Sequence, residues 1–344
     1  MRAVRMVAAA LVLVASLAVE ARAQKPEVAE IDAWLVRDPQ MSAQFAVADK
    51  MGLFKEEGIK VNPRWYINGP ELPSMWGAGN IHLGTATATM VVPIAANGGA
   101  IYNIAAQSDV AGAQQVVLGK KAQEMVKSPK DLEKLKIGMP KGASLTMAIQ
   151  AMAKDNGVDF AKIQFVNLAP PDAIIALAKG DVDAIAVWAP WSLNAVKQAN
   201  GKVYFTGNRS YIPGKEGQVD WLHVHAGVIA SGDMVKKNPN TLKAVLRGLK
   251  KATDKINSDR EAAVKIVAAE MKLEEPVARE IMALNVYSME TTDKIQKGMT
   301  EFVDFLFSLD RIKQKFPADQ VLYTKLMEEI EPGLVKWKSP TQVK

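Results

Sequence analysis

Apolar positions recur along this chain with two periods, near two residues and near 3.6, and the regular exchange between them predicts the fold. Residues 31–36 alternate as a strand and stop at Arg37-Asp38-Pro39, after which Met41, Phe45 and Ala48 are spaced as one face of a helix over 40–51 that ends at Gly52. A short helical turn broken by Gly58 and a strand carrying Val61 and Trp65 follow. Strand, helix, strand in that rhythm predicts βαβ units and a mostly parallel sheet.

The stretch PPDAIIALAKGDVDAIAVWAPW, residues 170–191, carries the same grammar most clearly. Ile174, Ile175, Leu177 and Ala178 share one side of a helix, Gly180 ends it, residues 182–187 read as a strand, and a Trp-Ala-Pro-Trp turn opens a new helix at Pro190. Two indoles are thereby delivered to the C-terminal edge of a strand, where open α/β sheets hold ligands. About one hundred residues earlier, a helix ending at Gly79, a strand over 80–84 and a helix opening at Thr85-Ala86-Thr87 repeat the unit. Two such units far apart predict two similar lobes facing each other.

Between them, residues 101–106 and 114–118 read as strands, the second suited to a crossover, and residues 136–139 begin a second sheet. Pro140 to Thr146 then form a strand end, a loop with one permissive glycine, and the start of a helix running to Asn156-Gly157. From Val203 glycine and proline predict a loop, residues 225–231 a buried return strand, and from Pro239 the pattern is helical to the end, with segments 241–256, 258–271, 275–287 and 292–309.

Length and charge refine this picture. At 344 residues the chain is comfortable for two domains. Arg2 and Arg5, an apolar run over 7–19 too short to span a bilayer, and Ala21-Arg22-Ala23 predict a cleaved export leader, with the mature chain beginning near Gln24 and the protein in the periplasm. The alternative, a retained N-terminal anchor, would leave Met1 in place. There is no cysteine, which excludes disulfides, thiolate metal sites and a cysteine nucleophile. The net charge of +6 is scattered over lysine-rich helix surfaces, unlike the clustered stripe that nucleic acid requires.

The segments FAVADKMGLFKEEGIKV, AGNIHLGTATATMVVPIAANGGAIYNIAA, SPKDLEKLKIGMPKGASLTMAIQAMAKDNGV, VNLAPPDAIIALAKGDVDAIAVWAPW and KKNPNTLKAVLRGLKKA fall in order. In that order the chain resembles the nitrate/sulfonate/taurine class (NMT1/THI5-like) of ABC-transporter substrate-binding proteins. The resemblance implies an α/β, two-lobed type II periplasmic binding fold. The leader occupies 1–23, lobe one is built from 24–112 and 226–344, and lobe two from 113–225. It also implies a monomer that holds a small organic anion in the cleft, without cofactor, and hands it to permease and ATPase subunits in the inner membrane. Where members often have Asp and Glu-Pro, this chain has His82 and Ala189-Pro190, so an amine-bearing ligand such as taurine loses one partner beside Trp188. An aromatic carboxylate or a pyrimidine-type ligand, a sensor role, and a pyrimidine-forming enzyme are the alternatives.

For the site, Arg37 is expected as the anion's charge partner, the alternative being a surface pair with Asp38. Ser144, Leu145 and Thr146 would offer backbone and hydroxyl donors, with an ordinary helix cap as the competing reading, and Thr85 and Thr87 occupy the equivalent turn of lobe one. Trp76, Trp188, Trp191 and Trp221 are candidate cleft walls, against the usual role of tryptophan in cores. His223 and His225 share a strand face, but with His82 remote a metal is not expected, and His223 is read as a cleft donor. No nucleophile with its base and no phosphate loop points to catalysis.

Overall fold

The computed structural model describes residues 25–67 and 71–343, so the expected leader at 1–23 lies outside the described residues. In chain order the strands are β1 (Glu30–Val36), β2 (Lys60–Tyr66), β3 (Leu83–Ala86), β4 (Ile101–Asp109), β5 (Gln114–Leu118), β6 (Lys136–Met139) and β7 (Gln164–Asn167). They continue as β8 (Ala184–Trp188), β9 (Lys202–Thr206), β10 (Arg209–Ser210), β11 (Gly217–Gln218), β12 (His225–Ser231) and β13 (Val286–Tyr287). They form two sheets, ordered β13-β4-β12-β3-β1-β2 and β11-β10-β9-β5-β8-β6-β7.

Within the first sheet β1 runs parallel to β2 and β3, while the return strand β12 is antiparallel to both β3 and β4. In the second sheet β6 runs parallel to β7 and β8, and β5 is antiparallel to β8. Helices cover the sheets as the apolar spacing requires. Pro39–Lys50 is buried over its first ten residues, because it lies between the first sheet and the long helix Pro239–Ser258, with Phe45, Val47, Leu242, Val245 and Leu249 in one core.

The register fixes how the sheets face each other. Asp109, the last residue of β4, pairs with His225, and Gln114, the first of β5, pairs with Trp188, the last of β8. The chain passes from β4 to β5 through residues 110–113, so the C-terminal edge of β1, β2 and β3 meets the C-terminal edge of β6 and β8. That junction is packed without spare room: a Cβ on Gly112 would stand 2.3 Å from the Leu284 carbonyl oxygen, and one on Gly207 2.9 Å from that of Ala111.

Several expected elements change. Residues 202–206, expected to enter a loop, pair with β5 as β9. Thr85 belongs to β3, and the following helix, Ala88–Ala96, starts after Thr87. The helix expected over 275–287 ends at Ala283, where the Asn285 side-chain amide donates to the Ile281 carbonyl at 2.7 Å and Tyr287 leaves to pair with β4. Beyond Ser308 the chain is not continuously helical: Asp310 adopts φ 55°, and a six-residue helix, Lys325–Ile330, and short 3-10 turns follow. Among the described residues no helix is long and apolar enough to cross a membrane.

Candidate functional site

The facing edges are built from strand ends that become helix starts, and such starts leave backbone N–H groups without partners. After β3, Thr87 is extended and caps nothing with its side chain, its hydroxyl lying 2.7 Å from that of Thr89. The Ala88 and Thr89 N–H groups find no acceptor among the described residues. After β6 the same is true of the Ser144 and Leu145 N–H groups, ahead of helix Leu145–Asn156. One donor pair therefore comes from each sheet, and both carry the positive end of a helix dipole.

The expected residues separate when placed. Thr85 is fully buried, its hydroxyl 3.4 Å from that of Ser42. Ser144 is buried, and its hydroxyl donates to Gln114 Oε1 at 3.4 Å. The Leu145 side chain is core, leaving only its N–H for a ligand, and the Thr146 N–H is already given to the Ala143 carbonyl at 3.0 Å. Trp188 stands half-buried at the end of β8, opposite Gln114. Thr87, Ser144, Leu145 and Trp188 thus lie on the facing edges.

The other tryptophans lie elsewhere. Trp76 sits at the opposite edge of the first sheet, its indole nitrogen 3.3 Å from where a Cβ on Gly99 would be, ahead of β4. Trp191 packs into the core of the second sheet with Val117, Ile174 and Leu177. Trp221 is buried, donating from Nε1 to Asp155 Oδ2 at 2.8 Å and meeting Phe205 edge-on at 5.2 Å. Tryptophan content and spacing cannot tell a strand's edge from its root, and the structure separates them.

Arg37 does not form the surface pair with Asp38. Its Nη1 donates to the Glu270 carbonyl oxygen at 2.7 Å, near the end of helix Arg260–Met271, and its guanidinium lies 5.2 Å over the Trp65 ring. Asp38 instead caps helix Pro39–Lys50, accepting from Gln40 N at 2.8 Å and from Gln40 Nε2 at 3.1 Å. The same Gln40 amide donates to the Ala189 carbonyl at 2.8 Å, a hydrogen bond from one sheet's helix to the other sheet's edge.

Asp38 and its surroundings are what the sequence reading missed. Asp38 is half-buried as a residue, and burial pushes its carboxyl pKa up to about 6 against the hydrogen bonds from Gln40. Tyr66, paired with Val36, ends β2 with its hydroxyl buried and unpartnered among the described residues, and burial raises its pKa too. Ser192, also buried and unpartnered, begins helix Trp191–Gln198 on the other side. Asp38-Pro39 looked like a strand stop, which it also is.

His223 belongs to a different feature. It lines a groove of about 640 Å³ between helices Leu145–Asn156 and Asp293–Ser308, together with Asp155, Asp220, Trp221 and Glu301. Its Nδ1 lies 2.9 Å from Glu301 Oε2 and its Nε2 3.3 Å from Asp220 Oδ2, the second contact being an ion pair without hydrogen-bond geometry. The hydrogen bond to Glu301 raises the His223 pKa against the opposing effect of burial, with Asp220 adding to it. No group of three or more His, Cys, Asp or Glu that would hold a metal occurs among the described residues.

Comparison with known proteins follows this geometry. The family model described as NMT1/THI5 like matches residues 40–263. A Brucella abortus protein named as a binding protein is 27% identical over 230 residues, 67% of each chain. The taurine-binding periplasmic protein of Escherichia coli is 27% identical over 161 residues, 47% of this chain and 48% of that one. Among solved structures, the periplasmic aliphatic sulphonate binding protein of Escherichia coli superposes with a TM-score of 0.72 at 18% identity, over 87% of this chain and 93% of that one. The desulfurization enzyme DszB shares the fold at a TM-score of 0.62 and 11% identity, over 89% of this chain and 99% of that one.

Proposed function

The chain belongs to the NMT1/THI5-like family, and from that premise we propose that it is an extracytoplasmic solute-binding protein of an ABC importer. It works in the periplasm as a monomer, captures a small organic anion of the aliphatic sulfonate or taurine type, with nitrate in second place, and delivers it to a permease and its ATPase. The observation that carries this reading is the pair of donor-rich helix starts, Ala88-Thr89 and Ser144-Leu145, on facing edges of two sheets. An anion held there gains both pairs of N–H groups only when the edges approach, so binding favours the closed form. Trp188 supplies an apolar wall beside them.

Binding without conversion is part of the proposal. The chain has no cysteine, and the sequence relatives named above are binding proteins. The test is a thermal-shift screen of alkanesulfonates, taurine, nitrate, aromatic carboxylates and pyrimidines. A true ligand at a hundredfold excess over its Kd adds about 2.7 kcal/mol of stability, seen as a rise of several degrees in Tm. If no anion raises Tm, or if a bound compound is consumed, the reading fails.

A further inference from the structure

We propose that Arg311 is the charge partner of the bound anion, reaching from a helix packed on the first sheet to the donor pair Ser144-Leu145 of the second. This rests on the anion-binding reading above and adds to it a cation that ties the two halves together through the ligand.

The backbone sets the turn that delivers Arg311. Helix Asp293–Ser308 closes on Leu309, after which the Asp310 N–H bonds to the Phe307 carbonyl at 3.1 Å and the Arg311 N–H to the Leu306 carbonyl at 2.9 Å. These are the two bonds of a Schellman cap, with Asp310 at φ 55° in the position that glycine usually takes. Aspartate tolerates the left-handed conformation better than most residues, and the reversal turns the chain off the helix end. It lands against the loop that follows β6. A Cβ on Gly142 would stand 3.8 Å from Leu309 Cδ1 and 4.0 Å from Arg311 Nη1. Gly142 is itself left-handed at φ 82°, two residues ahead of Ser144.

The guanidinium is exposed, and nothing among the described residues accepts a hydrogen bond from it or pairs with its charge. Arg37, by contrast, gives Nη1 to the Glu270 carbonyl and lies over Trp65. Arg311 suits the end of its own helix, but it also stands beside the start of helix Leu145–Asn156, whose positive dipole end opposes a cation. An anion on the unpartnered Ser144 and Leu145 N–H groups removes that conflict, and a planar fork fits two oxygens of a sulfonate, carboxylate or nitrate. Helix Asp293–Ser308 packs on helix Ala88–Ala96, with Phe302 and Val303 in one core with Met90 and Val91. Arg311 therefore moves with the Ala88-Thr89 donors and leaves Ser144 when the halves part. A head group seated on Ser144 gains Arg311 only in the closed form.

Calorimetry with ethanesulfonate, taurine, propionate and nitrate tests this on the mature protein, for wild type, Arg311→Gln and Arg311→Lys. For each anion that wild type binds, Arg311→Gln should weaken affinity by about tenfold or more, and Arg311→Lys should recover part of the loss. Affinity for the Gln variant should also fall less steeply than for wild type as salt rises from about 0.02 to about 0.5 M. Without ligand both variants should melt with wild type, because the side chain they replace is exposed and unpaired. Unchanged affinity in Arg311→Gln makes Arg311 a dipole partner of its own helix and overturns its role, leaving the donor pairs standing. A loss of affinity accompanied by a lower ligand-free Tm assigns the effect to packing against the Gly142 loop and overturns it too. If wild type binds none of the four, the anion-binding reading falls, and the role of Arg311 with it.

Discussion

Asp38 is ionised at neutral pH at a cost to the fold, and that cost is measurable without any ligand. Burial lifts its pKa to about 6 from an ordinary 3.8, so between those values the native state holds more protons than the unfolded chain. Stability then falls as pH rises through the window and stays low above it, by on the order of 2–3 kcal/mol. Asp38→Asn keeps the cap and drops the charge. Its melting temperature should exceed that of wild type at pH 7.5, with the gain fading towards pH 4. A variant that melts lower at both pH values would mean that the cap itself needs the carboxylate. Arg37 and Asp38 also mark the limit of sequence reading at this scale. Both were legible as the polar end of a strand, but where the Arg37 guanidinium goes depends on Glu270 and Trp65, far along the chain or on a neighbouring strand.

The segment 219–224 returns the chain to the first sheet and is clamped from both sides. Trp221 donates to Asp155 on helix Leu145–Asn156, while Asp220 pairs with Lys294 at 2.9 Å and His223 with Glu301, both on helix Asp293–Ser308. Gly298 lets that helix approach, since a Cβ there would stand 2.4 Å from the His223 carbonyl oxygen. Glu301 and Asp220 on His223 stabilise its imidazolium against burial, with Lys294, Lys297 and His225 nearby. Because its folded pKa is raised, its contribution is complete below an unfolded value near 6.5 and is lost as pH climbs through the folded one. His223→Gln should therefore destabilise the protein by roughly 1–2 kcal/mol at pH 6 and by less at pH 9, followed by thermal melts. A pH-independent loss would assign the effect to packing. Elements with strong periodicity were legible here: residues 114–118, 136–139 and 225–231 are strands with the expected bounds. β9 was not, because the Gly- and Pro-rich run behind it masked five residues whose pairing with β5 is long-range.

For the whole molecule, the exchange of two apolar periods carried the two-sheet α/β architecture, since helix and strand cores need different spacings whatever the ligand. It could not carry the site, which is an agreement between strand ends far apart in sequence, such as Gln40 with Ala189 and Ser144 with Gln114. The crossovers leave the first sheet from β4 and β12, which are neighbours near one of its margins, and enter the second at its central strand β5, so the first sheet is tethered on one side like a board at its spine. β2 is the fore-edge, four strands from β4, or about 19 Å at the usual strand spacing of about 4.8 Å. A rotation of about 20° at the spine then moves the fore-edge by about 7 Å, an estimate from that same spacing. Spin labels at Ile67, which is 78% exposed beyond β2, and at Gln164 in β7 should draw together on adding a compound that raises Tm. Labels near Asp109 and His225 should keep their distance, so the width of the page, not the bend at its binding, is where this molecule would announce what it has caught.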